Sequence, residues 1–223
     1  MTGRIQIERI GLVSILVAAV LFIAGCGDNR PHNRAVYMLM DTSGTYTKEL
    51  DKAQAIINYL LVTLDSGDSL AVARIDSGSF SEKDIIAKVT FDDRPSVASG
   101  QKRAFRQQVD KFVKTVKGSR YTDISGGTLQ AVEFLNETQA RDKYILIFSD
   151  LKEEIEKGHV RDFSLPLDNI QVIALNVTKL RSDNVDPQEY IDRLDNWQTR
   201  VTAGGGNWRV VNDLDHIDTL LGS

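Results

Sequence analysis

The stretch AVYMLMDTSGT occupies residues 35–45, where a short apolar run ends in a carboxylate, three hydroxyls and a glycine. A run of this length between polar residues predicts a buried strand. In an open α/β sheet, the carboxyl ends of the strands border the crevice in which ligands bind. Asp41, Ser43 and Thr45 therefore predict a set of oxygen ligands suited to Mg²⁺ or Mn²⁺. A helix cap followed by a turn is the structural alternative.

Further strands are predicted by runs that are rich in valine, isoleucine and alanine. They occupy residues 69–75, 85–91, 144–148, 170–177 and 208–211. Residues 76–83 are too few for a helical crossover, so the second and third strands should form a hairpin. The sequence therefore predicts a doubly wound α/β fold with a mostly parallel sheet of about six strands and one antiparallel edge strand.

Helices are predicted between these strands by the spacing of apolar residues. One covers residues 47–65, a second ends near Gly118, and a third begins in the loop 119–127. A fourth begins at Asp186-Pro187, which is a typical cap followed by a first-turn proline. Its inward side chains should be Tyr190, Ile191, Leu194 and Val201. Residues 216–221 predict a short closing helix.

The amino terminus has the layout of a secretory signal. Arg4 and Arg9 precede an apolar run at residues 10–23, and small residues follow. IAGC at residues 23–26 resembles the bacterial lipobox, in which the signal is removed before a cysteine that then carries acyl chains such as palmitate. Cys26 is the only cysteine, so an intramolecular disulfide is excluded. An uncleaved amino-terminal anchor is the alternative.

The chain is thus divided into a signal peptide at residues 1–25, a lipidated tether at 26–34 and one domain at 35–223. Removing 25 of the 223 residues leaves 198, enough for one domain with a substantial core. Gly27 follows the cysteine where an aspartate would favour the inner membrane, so we expect the periplasm-facing leaflet of the outer membrane. The net charge is −4 and both signs are interspersed, which argues against a nucleic-acid partner.

Three separate segments together resemble the metal-ion-dependent adhesion site of the von Willebrand factor type A domain. They are DTSGT at residues 41–45, TDI at residues 122–124, and Asp150 after a mid-chain strand. The resemblance covers about residues 34–221. It implies that Ser43, Thr45 and Thr122 contact the metal through their hydroxyls. It also implies that Asp41 and Asp150 bind the metal directly or through water. One coordination position stays open, and an acidic side chain of a partner protein commonly fills it in this family.

Two features near Asp150 depart from the family pattern. Leu151 stands where the family often has glycine, so the loop there should differ in shape. The run KEEIE at residues 152–156 follows, and such a run is ordinarily a solvated helix face. If Glu153, Glu154 or Glu156 faced the metal instead, it would repel acidic ligands or supply an additional ligand.

The function predicted on these grounds is that of a membrane-anchored, divalent-metal-dependent protein-binding module of the bacterial cell envelope, without catalytic residues. One alternative is a structural envelope lipoprotein whose metal site is silent. Another is a Mg²⁺-dependent phosphotransferase, but Ser43 stands where that chemistry requires an acid. His32, His159 and His216 are scattered and give neither a zinc pattern nor a serine-hydrolase pattern.

Overall fold

The computed structural model describes residues 33–44, 46–76, 78, 80–158, 160–161, 163–213 and 220–221. The predicted opening strand lies at the centre of a six-stranded sheet with the order β3-β2-β1-β4-β5-β6. β3 is antiparallel to β2 and the other neighbours are parallel, which confirms the predicted fold class. The strands are β1 (Arg34–Asp41), β2 (Ser69–Ile75), β3 (Ile85–Thr90), β4 (Asp142–Phe148), β5 (Ile170–Leu175) and β6 (Asn207–Val211).

β1 is buried on both faces, as a central strand covered by helices should be. Val36, Met38 and Met40 face one side of the sheet, and the alternate residues face the other. The strand begins at Arg34, one residue earlier than predicted. The Arg34 guanidinium donates to a carboxylate oxygen of buried Asp68 at 3.0 Å, which fixes the start of the strand.

Four α-helices cover the two faces of the sheet in the part of the chain that the structure describes. They are α1 (Leu50–Thr63), α2 (Pro95–Thr115), α3 (Ile124–Glu137) and α4 (Gln188–Ala203). α1 and α2 pack on the face that contains Met38, whereas α3 and α4 pack on the face that contains Tyr37. The result is a three-layer arrangement with an apolar core on each side of the sheet.

Two details of the helices differ from the prediction. The first helix starts with a 3₁₀ turn, Thr47–Glu49, before α1 begins. In α4, Ile191 is 46% exposed although it was predicted to face inward, whereas Trp197 is buried against the core. Tyr190, Leu194 and Val201 pack against this core as predicted, so Ile191 is the one predicted inward residue that lies outside the inward face.

The described residues include no helix long and apolar enough to cross a membrane. The predicted signal peptide, Cys26 and most of the tether lie outside them. So do His159 and nearly all of the predicted closing helix. Leu220 and Leu221, at the end of that helix, are buried in the core beside α1 and α2.

Candidate metal centre

Asp41 ends β1 and is fixed by two hydrogen bonds. One carboxylate oxygen accepts from the backbone N–H of Ser43 at 2.7 Å, and the other accepts from the Ser149 hydroxyl at 2.6 Å. The residue is almost fully buried, and this burial raises the pKa of its carboxyl group. Ser149 is therefore a positioning residue that the sequence argument did not assign, although it lies at the same strand end as Asp150.

The loop that carries Thr122 is held against the end of β1. The N–H of Ser119 donates to the carbonyl of Thr42 at 2.7 Å. The two backbones approach closely at Gly118, where an added Cβ would lie 3.3 Å from the Cα of Gly44. Because Gly118 has no side chain, the loop that carries Thr122 can approach the loop that follows β1.

Asp150 follows β4 at the same edge of the sheet. One of its carboxylate oxygens accepts from the backbone N–H of Lys152 at 2.9 Å. The pKa of Asp150 is raised to about 6, mainly by burial and in addition by the nearby charge of Asp41, while Lys152 and Arg193 oppose the shift. Two buried carboxylates therefore lie close enough to interact, and a divalent cation would offset their repulsion.

Ser43, Thr122 and Asp150 line one pocket of about 300 Å³, together with Lys152 and Glu154. The structure thus brings together residues from three loops that the sequence places far apart. Asp41 adjoins this pocket through its contact with Ser43. Thr45, the remaining predicted ligand, lies outside the described residues.

The donors around this pocket suit a hard cation. They are hydroxyl and carboxylate oxygens, which Mg²⁺ and Mn²⁺ prefer. No group of three or more histidine, cysteine, aspartate or glutamate side chains is arranged to hold a metal within the described ranges. The oxygen set is therefore rich in hydroxyls and poor in charge, unlike the carboxylate cage of a tight calcium site.

One face of α4 holds the loop that follows Asp150. Arg193 donates to the carbonyl of Asp150 at 3.3 Å, and the Trp197 indole donates to the carbonyl of Leu151 at 3.1 Å. Arg200 donates to the Glu153 carboxylate at 3.2 Å and stacks over the Trp197 ring. Spacings of four and three residues put these side chains on one side of the helix. This regular spacing was the sequence signal that could have assigned them to the site.

The acidic run after Lys152 forms no helix, contrary to its ordinary interpretation. Glu153 is mostly buried and accepts from the N–H of Ser125 at 2.6 Å, at the start of α3. Glu154 pairs with Thr122 through two backbone hydrogen bonds and lines the pocket. Glu156 is exposed. The three carboxylates therefore have three different environments.

No protein-family profile matches the chain, and no curated protein matches it in sequence. Among solved structures, it resembles a von Willebrand factor type A protein from Catenulispora acidiphila, with a TM-score of 0.51 and 15% identity. The chain has the fold of a von Willebrand factor type A domain. That alignment covers 83% of this chain and 40% of the Catenulispora chain.

A second structure with the same arrangement is the pilus adhesin SpaC from Lactobacillus rhamnosus GG in its open conformation. The TM-score is 0.51 with 10% identity, over 86% of this chain and 29% of the adhesin. This chain therefore spans less than half the length of either neighbour. The von Willebrand factor type A fold places the candidate pocket at the carboxyl edge of the sheet, where ligands of open α/β sheets bind.

Proposed function

We propose that this chain is a divalent-metal-dependent protein-binding module, anchored by lipid at Cys26 to the bacterial envelope and facing the periplasm. The observation that carries the proposal is the shared pocket of Ser43, Thr122 and Asp150. These residues, with Asp41 and Thr45, would hold Mg²⁺ or Mn²⁺. The bound ion would supply a positive charge that is only partly neutralised by protein ligands.

An acidic side chain of a partner protein fits such a site. A cation held largely by neutral hydroxyls attracts a further carboxylate, and its remaining coordination position is available to one. Arg120 also lines the pocket and is exposed, so it adds positive potential at the entrance. The pilus adhesin among the structural neighbours is consistent with a role in adhesion.

Metal binding is the direct test. Full-length protein in detergent should bind one Mn²⁺ weakly in a titration followed by electron paramagnetic resonance. Asp41→Ala and Asp150→Ala should each abolish this binding, because each removes a charged ligand. Asp142→Ala is the matched control, since it removes an exposed carboxylate at the opposite end of β4. Unchanged Mn²⁺ binding in both pocket variants would overturn the assignment.

Partner capture tests the second half of the proposal. Wild-type protein should retain specific proteins from a membrane extract in Mg²⁺ and release them in a chelator. Asp41→Ala should retain none of these proteins under either condition. If wild type and variant retained the same proteins with and without chelator, the domain would be a structural envelope protein with a silent metal site.

A further inference from the structure

Glu154 lies directly opposite Thr122 in a one-residue antiparallel bridge. The N–H of Thr122 donates to the carbonyl of Glu154 at 2.8 Å, and the N–H of Glu154 donates to the carbonyl of Thr122 at 3.0 Å. Residues paired in this way project their side chains to the same face, with Cβ atoms about 5 Å apart. The Glu154 side chain therefore leaves the backbone on the same face as the Thr122 side chain.

This geometry puts a third carboxylate on the wall of the candidate pocket, although in its present position among the described residues it does not form a metal-holding group with Asp41 and Asp150. Glu154 lines the same pocket as Ser43 and Asp150. Its negative charge is also close enough to Asp41 to raise the pKa of that buried carboxyl group, in addition to the effect of burial. Glu154 is thus electrostatically part of the site, although it follows Asp150 by four residues and belongs to no helix.

The Glu154 side chain is held only weakly in its present position. It forms an ion pair with Lys152 at 2.7 Å, and both side chains are about half exposed. Exposed ion pairs of this kind contribute about 0–1 kcal/mol, so little free energy opposes their separation. Glu153 differs, because its carboxylate is mostly buried and bonded to Arg200 and to the N–H of Ser125.

We propose that Glu154 is a ligand which the chain itself supplies to the metal, exchanging between the cation and Lys152. The inference rests on the proposed function of the pocket. A carboxylate from the protein raises cation affinity by adding charge to a hydroxyl-rich set. The same carboxylate competes with the acidic side chain of a partner, because both need the open coordination position. When Glu154 occupies that position in more of the molecules, fewer sites are free and the apparent affinity for the partner is lower.

Mn²⁺ alone is the probe that tests this inference on full-length protein in detergent. Glu154→Gln should weaken Mn²⁺ binding about tenfold, because it removes a charged ligand while keeping the side-chain shape. Glu156→Gln is the matched control: it removes the same charge two residues away, outside the pocket, and should change the affinity by less than about twofold. Lys152→Met should tighten binding several-fold, because Glu154 then has no competing cation.

Water-proton relaxation by the bound Mn²⁺ gives a second readout that a structural role would not change. Glu154→Gln should increase the number of waters on the ion, since water replaces the lost carboxylate. Equal weakening in Glu154→Gln and Glu156→Gln would overturn the inference and leave the pocket intact, provided that Asp41→Ala still abolishes binding. Unchanged affinity in Lys152→Met would also overturn it, even if Glu154→Gln failed to fold. Wild-type protein that bound no Mn²⁺ would overturn the proposed function itself.

Discussion

Leu151 has a backbone φ of +65°, a left-handed conformation that glycine adopts freely and leucine does not. This conformation costs about 1–2 kcal/mol for a residue with a Cβ atom. The contacts of Leu151 offset the cost: its side chain is buried in the core, and its N–H donates to the Ser149 hydroxyl at 3.0 Å. Leu151 thus has the backbone conformation that a glycine would adopt, and its side chain adds apolar contacts with the core.

Two substitutions at Leu151 separate its backbone strain from its packing. Leu151→Ala removes buried side-chain atoms but keeps the strained backbone, and should lower the free energy of unfolding by about 2–5 kcal/mol. Leu151→Gly removes one more carbon yet relieves the strain, and should be about 1 kcal/mol more stable than the alanine variant. Urea unfolding measures both. If the glycine variant were less stable than the alanine variant, the inference that the Leu151 backbone is strained would be wrong.

At the scale of elements, α4 is the part of the fold that fastens the loop after Asp150. Arg193 connects that loop to Asp183, because its guanidinium donates to both carboxylate oxygens of Asp183 at 2.9 and 2.8 Å. Asp183 also accepts from the N–H of Leu180 at 2.7 Å. The Arg193 guanidinium lowers the pKa of this buried carboxyl group to about 2. One ion pair therefore joins α4, the turn that precedes it and the edge of the candidate pocket.

The Asp183–Arg193 pair should give the domain a specific dependence on pH. The pKa of Asp183 is about 2 in the folded protein, compared with about 3.9 in unfolded chains. The charged pair therefore stabilises the fold fully above the unfolded value, and this stabilisation is lost as the pH falls toward 2. Asp183→Asn should be less stable than wild type at pH 7, and the difference should shrink between about pH 4 and pH 2. Urea unfolding across this range measures it, and a constant difference would contradict the prediction.

Hydrophobic patterns predict the six strands to within two residues at each end, because buried strands and amphipathic helices have short-range signatures. The carboxyl-end rule then brings Ser43 and Asp150 together without any knowledge of contacts. Thr122 follows a helix instead of a strand, and only the resemblance to the von Willebrand factor type A site predicts its place there. Contacts between distant residues carry no such signature. The bridge between Thr122 and Glu154, and the hydrogen bond from Trp197 to Leu151, depend on how two loops and a helix pack.

At the scale of the whole domain, the chain enters β1 at one edge of the sheet and the candidate pocket lies at the other. β1 has eight residues, which span about 26 Å at ~3.3 Å per residue. The eight residues of the proposed tether that follow Cys26, residues 27–34, reach at most about 29 Å from the membrane. A domain held this close to lipid at its Arg34 end would point its pocket into the periplasm.

Photocrosslinking from the two ends of β4 tests this orientation. Asp142 and Lys152 are both exposed; Asp142 is the first residue of β4, and Lys152 follows the carboxyl end of that strand. A photoreactive group on Lys152→Cys should capture periplasmic proteins, and the same group on Asp142→Cys should not. Labelling of the Lys152 region by a photoactivatable lipid, with the Asp142 region protected, would show that the orientation is reversed. Cys26→Ser, which should prevent lipidation, is the control that must lose the lipid labelling.

The central position of β1 has a mechanical consequence. Its first residues follow the proposed membrane attachment and its last residue adjoins the pocket, so tension between a captured partner and the membrane would run along this strand. β1 is hydrogen-bonded in parallel register to β2 on one side and to β4 on the other. Because these bonds run across the strand, tension would shear both ladders and load their bonds together rather than opening them one by one. A domain built this way resists being pulled apart along the line on which its anchor and its partner would pull.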